Sequence, residues 1–336
     1  MTTKPADLGP RVVQQLFEAL QLDAGWSVRA RRSFAWWGHH LAQRVWAERP
    51  RRQADADTTR VQASTVVLKG VKRQAQTAEQ IASLNRFASF SALVWNPYSG
   101  EVALHSCACF TRDNARWLQP IFAKAITMQA AEAHVQLETL LGLLGGRPAW
   151  SEHPRHGRRL DPDTKLDVLG TVYARVGAGP SPFSHADFDA ALQMEQPPWV
   201  SAAVDGRTLS AEIPLDGSAG GRATLTVSSE GSHPQLGSGL LLRLRLPFPP
   251  AQPAAELAGR LNAVETIEQT DANLFGAWCS GHDEHLWFAQ FLPAGLYEPG
   301  LLGLMVRNAA ARARWGTAQL PRLEGRRRDR EDEPTQ

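Results

Sequence analysis

Apolar and polar positions alternate along residues 87–96 and 101–110, with the polar run Asn-Pro-Tyr-Ser-Gly between them. The same alternation returns along 273–279 and 285–291, around Ser-Gly-His-Asp-Glu. A period of two places alternate side chains on opposite faces of a strand, and the intervening residues have turn chemistry, so each stretch predicts a β-hairpin. Each hairpin follows a short helical stretch carrying Leu-Asn (Leu84-Asn85 and Leu261-Asn262) and precedes a longer helix that opens on proline. From Pro120, Ile126, Ala130, Ala133, Leu137, Leu141 and Leu144 share one helical face that ends at Gly145-Gly146. "PIFAKAITMQAA" and "PGLLGLMVRNAA" both place Ala-Ala ten residues after the proline. Proline suits the first helical turn, where its missing N–H is not needed.

The elements upstream of each hairpin also correspond. In the first half, Val13, Leu16, Phe17 and Leu20 give a helix opened by Pro10 and closed by Gly25. Residues 26–50 read as two strands turning near Gly38, residues 60–71 as a third, and Thr77 as the cap of a helix running through Asn85. In the second half, Leu166, Leu169, Tyr173 and Val176 predict a helix over 164–176. Strands follow at 199–204, 207–213, 222–228 and 239–246, then a helix at 253–263. One order written twice points to an internal duplication. The fold class expected is α+β: two tandem repeats, each an antiparallel sheet flanked by helices, ordered helix, three or four strands, helix, two strands, helix. The units are placed at 1–146 and 163–321. A Gly-, Pro- and charge-rich linker at 147–162 joins them, and a charged tail at 322–336, with no apolar residue after Leu323, is expected to be disordered.

This element order, with the run "FGAWC…LWFAQFLP…P" over 275–299, resembles the type III secretion chaperone-like superfamily. The resemblance covers both units. It implies a protein that binds extended client segments along sheet and groove surfaces and works as a dimer, here a pseudo-dimer within one chain, with homo-oligomers left open. Two units and a basic first sheet depart from the family pattern and put a secretion role in doubt. The family has no catalytic residues to carry over.

Composition narrows the classes further. Of 336 residues, 43% are hydrophobic and 21% charged, as in globular proteins. The longest apolar run, near 137–144, is too short to span a bilayer, and the first residues lack a signal-type stretch. Three cysteines fit no disulfide framework, so reduced thiols and a cytoplasmic location are expected, with no membrane partner. The net charge of +2 is unevenly spread. Residues 26–52 hold seven arginines against Glu48, and residues 253–300 hold seven carboxylates against Arg260. Opposed potentials of this kind steer association.

Eleven tryptophans and the arginines beside them suggest a protein-binding surface, where Trp and Arg are favoured anchors. Trp36, Arg44, Trp46 and Trp95 are the candidate partner contacts of a non-enzymatic binding module, chaperone or adaptor. The alternative is nucleic-acid binding by stacking and phosphate contact through 26–52. A second alternative is an enzyme using Cys279 with His282, or Cys109 with His105. Cys279, His282 and His285 offer one thiol and no known zinc spacing, so a polar hairpin tip with an inward Cys279 is the default. His39 and His40, read as strand neighbours, should point to opposite faces. His153 and His156 lie in the linker. No phosphate loop or serine elbow is present; "GSAGG" at 217–221 precedes a strand, not a helix. No cofactor or metal is assigned.

Overall fold

A computed structural model describes residues 7–53, 56–166, 183–194, 198–215, 221–233, 236–247, 252–267, 275–281 and 283–331. In chain order the first half gives α1 (Gly9–Leu20), β1 (Ser27–Ala30), β2 (Ser33–Trp37), β3 (Ala42–Ala47), β4 (Arg51–Gln53), β5 (Ala56–Lys69), α2 (Ala75–Leu84), β6 (Ala92–Asn96), β7 (Glu101–Phe110), α3 (Ala115–Leu144) and β8 (Arg147–Pro148). The second half gives α4 (His185–Leu192), β9 (Ser201–Asp205), β10 (Thr208–Pro214), β11 (Arg222–Ser228), β12 (Ser232–His233), β13 (Gly237–Arg245), α5 (Ala254–Ile267), β14 (Ala277–Ser280), β15 (Leu286–Pro293) and α6 (Leu301–Glu331).

Two antiparallel sheets, each flanked by helices, result. One runs β1-β2-β3-β5-β7-β6, with β4 and β8 also pairing with β5; the other runs β9-β10-β11-β13-β15-β14, with β12 on β13. Read along the chain, the two orders are the same: four strands, a helix, then a hairpin whose second strand inserts beside the fourth. Register carries the likeness to single residues. Trp95 pairs with Val102, which pairs with Leu68. Trp278 pairs with Phe288, which pairs with Leu244. Leu68 and Leu244 each stand one residue before the end of their strand.

Helix α1 packs against α3 and on β2, β3 and β5 in the first unit; α6 packs on β11, β13, α4 and α5 in the second. Gly316 lets α6 approach its sheet closely, since a Cβ there would lie 2.6 Å from the Trp278 ring. Asn262 explains the written Leu-Asn in the second repeat. Its side chain is 3% exposed; its Oδ1 accepts from the Trp278 N–H and its Nδ2 donates to the Trp278 carbonyl, both at 2.8 Å. It pairs both backbone groups of an edge-strand residue that would otherwise be buried without partners.

The structure corrects several expectations. Residues 26–50 form three strands, because Arg31-Arg32 makes a two-residue turn between Ala30 and Ser33. Thr77 is not a cap: α2 starts at Ala75, and Thr77 is buried in its second half-turn. Helix α3 begins at Ala115, so Pro120 lies inside it. The chain at 147–162 is not a free linker. Pro148 and Arg147 pair with Leu68 and Lys69, Ala149 donates to the Val67 carbonyl at 2.8 Å, and Ser151 to the His40 carbonyl at 2.8 Å. Helix α6 continues to Glu331, which the helix-favouring Arg and Glu of the expected tail allow. The helix expected over 164–176 falls mostly outside the described residues.

The compact units also interleave in sequence: Met1–Arg73, Phe90–Arg175 and Asn273–Phe275 form one, and Gln74–Ser89, Val176–Ala272 and Gly276–Gln336 the other. Within the second unit, α2 packs on α5 and β14. The Phe291 N–H there donates to the Ala88 carbonyl at 2.8 Å and the Ser89 hydroxyl to the Phe291 carbonyl at 2.8 Å. An α2 that buries Ala78, Ile81 and Ala82 finds its apolar partner in α5, not in the sheet that precedes it in sequence.

Candidate functional site

Of the four residues expected to meet a partner, two are core. Trp36 is 1% exposed and Trp95 is 9% exposed, so neither presents a surface. Trp37 is also buried, and its indole donates to the Ser151 hydroxyl at 3.3 Å. Strand β2 is covered on one side by α1 and on the other by the chain following β8, whose Arg159 donates to the Trp37 carbonyl at 2.9 Å. Arg44 is exposed and Trp46 half-buried. Of the eleven tryptophans, four (Trp36, Trp37, Trp95 and Trp278) are buried, and the others are half-buried or exposed.

The open surface of the first unit lies two strands away. Strand β1 is one edge of the sheet, and among the described residues it pairs only with β2. Its residues are exposed after Ser27. Beside it, α1 and β2 form a groove of about 660 Å³ lined by Arg11, Gln14, Phe17, Arg29, Arg31 and Phe34, among others. Phe17 and Phe34 form its floor, edge to face at 5.3 Å, and the Arg29 guanidinium lies 4.1 Å over the Phe17 ring. Arg29 also donates to Gln14. Arg11 and Arg31 are exposed and hold no ion pair among the described residues. An unpaired backbone edge, an aromatic floor and three guanidinium groups thus share one groove.

A second concavity opens at the β2–β3 turn. Here His39 and His40 do not point apart, because both lie outside the strands, in the turn, where their rings stack 3.5 Å apart. His39 Nδ1 lies 3.3 Å from His134 Nδ1 on α3, and His39 Nε2 3.1 Å from the Leu160 carbonyl. Burial holds the His39 and His40 imidazoles below the ordinary histidine value, and neighbouring imidazoles push the same way. His153 and His156 stack at 4.9 Å, against Trp26 and Trp37. Among the described residues, no group of three or more His, Cys, Asp or Glu is arranged to hold a metal ion, and no helix is long and apolar enough to cross a membrane.

Cys279 is poorly placed for nucleophilic work. Cys279 is 2% exposed, and burial pushes its thiol up to about 12, so thiolate is scarce at neutral pH. Its proposed partner His282 lies outside the described residues, and His285 is engaged by Asp283 and Arg245. His105, near Cys107 and Cys109 on β7, is pushed down to about 3 by burial first and by the Arg60 guanidinium second. Its Nε2–H donates to Gln62 Oε1 at 2.7 Å, and Gln62 Nε2 donates to Glu48. A base this weak does not activate a thiol at neutral pH.

His105 carries a testable consequence. Between about 3 and the ordinary 6.5, the unfolded chain binds a proton at His105 that the folded chain does not. Stability from this group is therefore complete above pH 6.5 and is lost as pH falls toward 3. The loss is on the order of 3–5 kcal/mol at the acidic end. Denaturant unfolding measured across that window should show a steeper acid loss in the wild type than in His105→Gln; equal slopes would refute the assignment.

The groove and the histidine turn both escaped sequence reading. Arg29 and Arg31 alternate in exposed strand fashion, but the strand break at Arg31-Arg32 carries no glycine or asparagine to announce it. The histidine turn joins residues about 95 apart in sequence, which no local pattern records. Comparison with protein-family models, with curated proteins and with solved structures finds no match for this chain.

Proposed function

We propose that this protein is a non-enzymatic binding module that takes an extended, acidic protein segment along β1. The observation that carries the reading is the coincidence of the open β1 edge with the Arg11, Arg29 and Arg31 groove. An extended segment adds to a sheet edge through its main chain, while alternate side chains enter pockets beside it. Phe17 and Phe34 would receive apolar side chains, and the guanidinium groups acidic ones, by charge-assisted hydrogen bonds. This reading keeps the chaperone or adaptor role that the element order suggests, and it moves the contact from Trp36 and Trp95 to α1 and β1. A peptide is favoured over nucleic acid because Trp36 and Trp37, two of the four tryptophans in 26–52, are buried and cannot stack on bases.

A fluorescent peptide alternating valine and glutamate tests it by anisotropy. Binding should weaken as salt rises, because the arginines are exposed. Arg11→Glu with Arg31→Glu should weaken it by roughly tenfold or more, about 1.4 kcal/mol, with an unchanged melting temperature. Equal binding of the valine-lysine counterpart, stronger binding of single-stranded oligonucleotides, or no effect of the double variant would count against it.

A further inference from the structure

The cavity at the β2–β3 turn has a volume of about 300 Å³, and its walls include Trp36, His39, His40, Gln43, His134 and Trp150. Three of these residues carry a buried polar atom with no partner among the described residues: Trp36 Nε1, His40 Nδ1 and Gln43 Oε1. Trp36 and Gln43 are each 1% exposed. Buried polar atoms in folded proteins are nearly always paired, so three of them around one cavity need an occupant.

The chemistry of two of the three atoms is fixed. Gln43 Nε2 donates to the Ile126 carbonyl at 2.7 Å and to Gln129 Oε1 at 3.1 Å, which leaves Oε1 as an acceptor. Gln129 is held in turn by Thr65, Ser106 and the Ala63 carbonyl. The His40 Nδ1 accepts or donates according to the tautomer of its ring. The Trp36 indole can only donate. Among the described residues, no lysine or arginine lines the cavity, and the one carboxylate that does, Glu138, is exposed. Around the polar atoms the walls are flat or apolar: Leu41, Ala130, Leu137, and Trp150 at 5.7 Å from the His40 ring.

From this we infer that the cavity is a binding site for a small, flat, uncharged molecule that presents both an N–H donor and an acceptor, a cyclic amide or heteroaromatic of nucleobase size. The volume is at the small end of ligand pockets, and a few polar groups on apolar walls is the usual make-up of such sites. The site is independent of the β1 groove, so the two readings stand or fall separately.

The test is a titration of the full chain with uracil, hypoxanthine and nicotinamide, read by the Trp36 indole N–H resonance, assigned with Trp36→Phe. Benzoate and benzamidine serve as anionic and cationic controls. At least one uncharged probe should bind saturably and shift that resonance. His40→Phe keeps the ring stack and removes the polar ring nitrogen, and Ala130→Leu fills the cavity from α3. Each should weaken binding by roughly tenfold. Melting curves establish that the variants are folded; should either unfold, the wild-type resonance and the controls still decide. No shift with any uncharged probe up to millimolar concentration, tighter binding of a charged control, or wild-type binding in both folded variants would overturn the proposal and leave the polar atoms to water alone.

Discussion

Arg312→Met is expected to destabilise the second unit by about 3–5 kcal/mol. Arg312 is 1% exposed and Glu265 is 6% exposed, and the guanidinium Nε donates to Glu265 Oε1 at 3.0 Å. The same guanidinium lies 4.4 Å over the Phe288 ring. Removing one member strands a buried carboxylate, which costs far more than the pair contributes over an apolar replacement. The double change Arg312→Met with Glu265→Leu should therefore recover most of the loss, because no buried charge remains. Guanidinium chloride unfolding of the four chains decides it. An additive double variant, as unstable as the sum of the singles, would contradict the account of the pair.

Asn262→Ala is the second large effect, expected at about 2–5 kcal/mol. Two backbone groups of Trp278 lose their partners at once, and each buried unsatisfied group costs roughly 1–3 kcal/mol. Asn262→Asp should also be costly, because a carboxylate cannot donate to the Trp278 carbonyl. Amide exchange at Trp278 should accelerate in both variants. A loss below about 0.5 kcal/mol, the scale of an ordinary surface change, would mean that the edge strand β14 does not depend on this side chain.

Asn262 also shows what was legible beforehand. The repeated Leu-Asn, the alternating hairpins and the apolar helices near Pro120 and Pro299 are local patterns, and each marks an element that the structure contains. They were enough to give an α+β chain of two like units, because strand period, turn chemistry and helix stripe are written within a few residues. Positions fixed by distant partners were not legible. Trp36 reads as an anchor among arginines, but it is 1% exposed and shares a cavity with His134 and Leu137 of α3. Residues 147–162 read as a linker because nothing in their composition records pairing with β5. Helix α2 shows an apolar face without naming α5 as the surface that covers it. Element type came from local sequence; burial and partnership came from contacts across the chain.

The same distinction governs the proposed function. The arginine-rich stretch pointed to a charged partner, while the groove that makes the arginines useful depends on α1 packing beside β1. The most direct test of the central claim is amide hydrogen exchange of Ser27–Ala30 with and without the valine-glutamate peptide. Strand addition at the free edge should slow exchange of the outward amides of β1 at saturating peptide and low salt, and Arg11→Glu with Arg31→Glu should remove that protection. Unchanged exchange in β1 while the peptide is bound would contradict it.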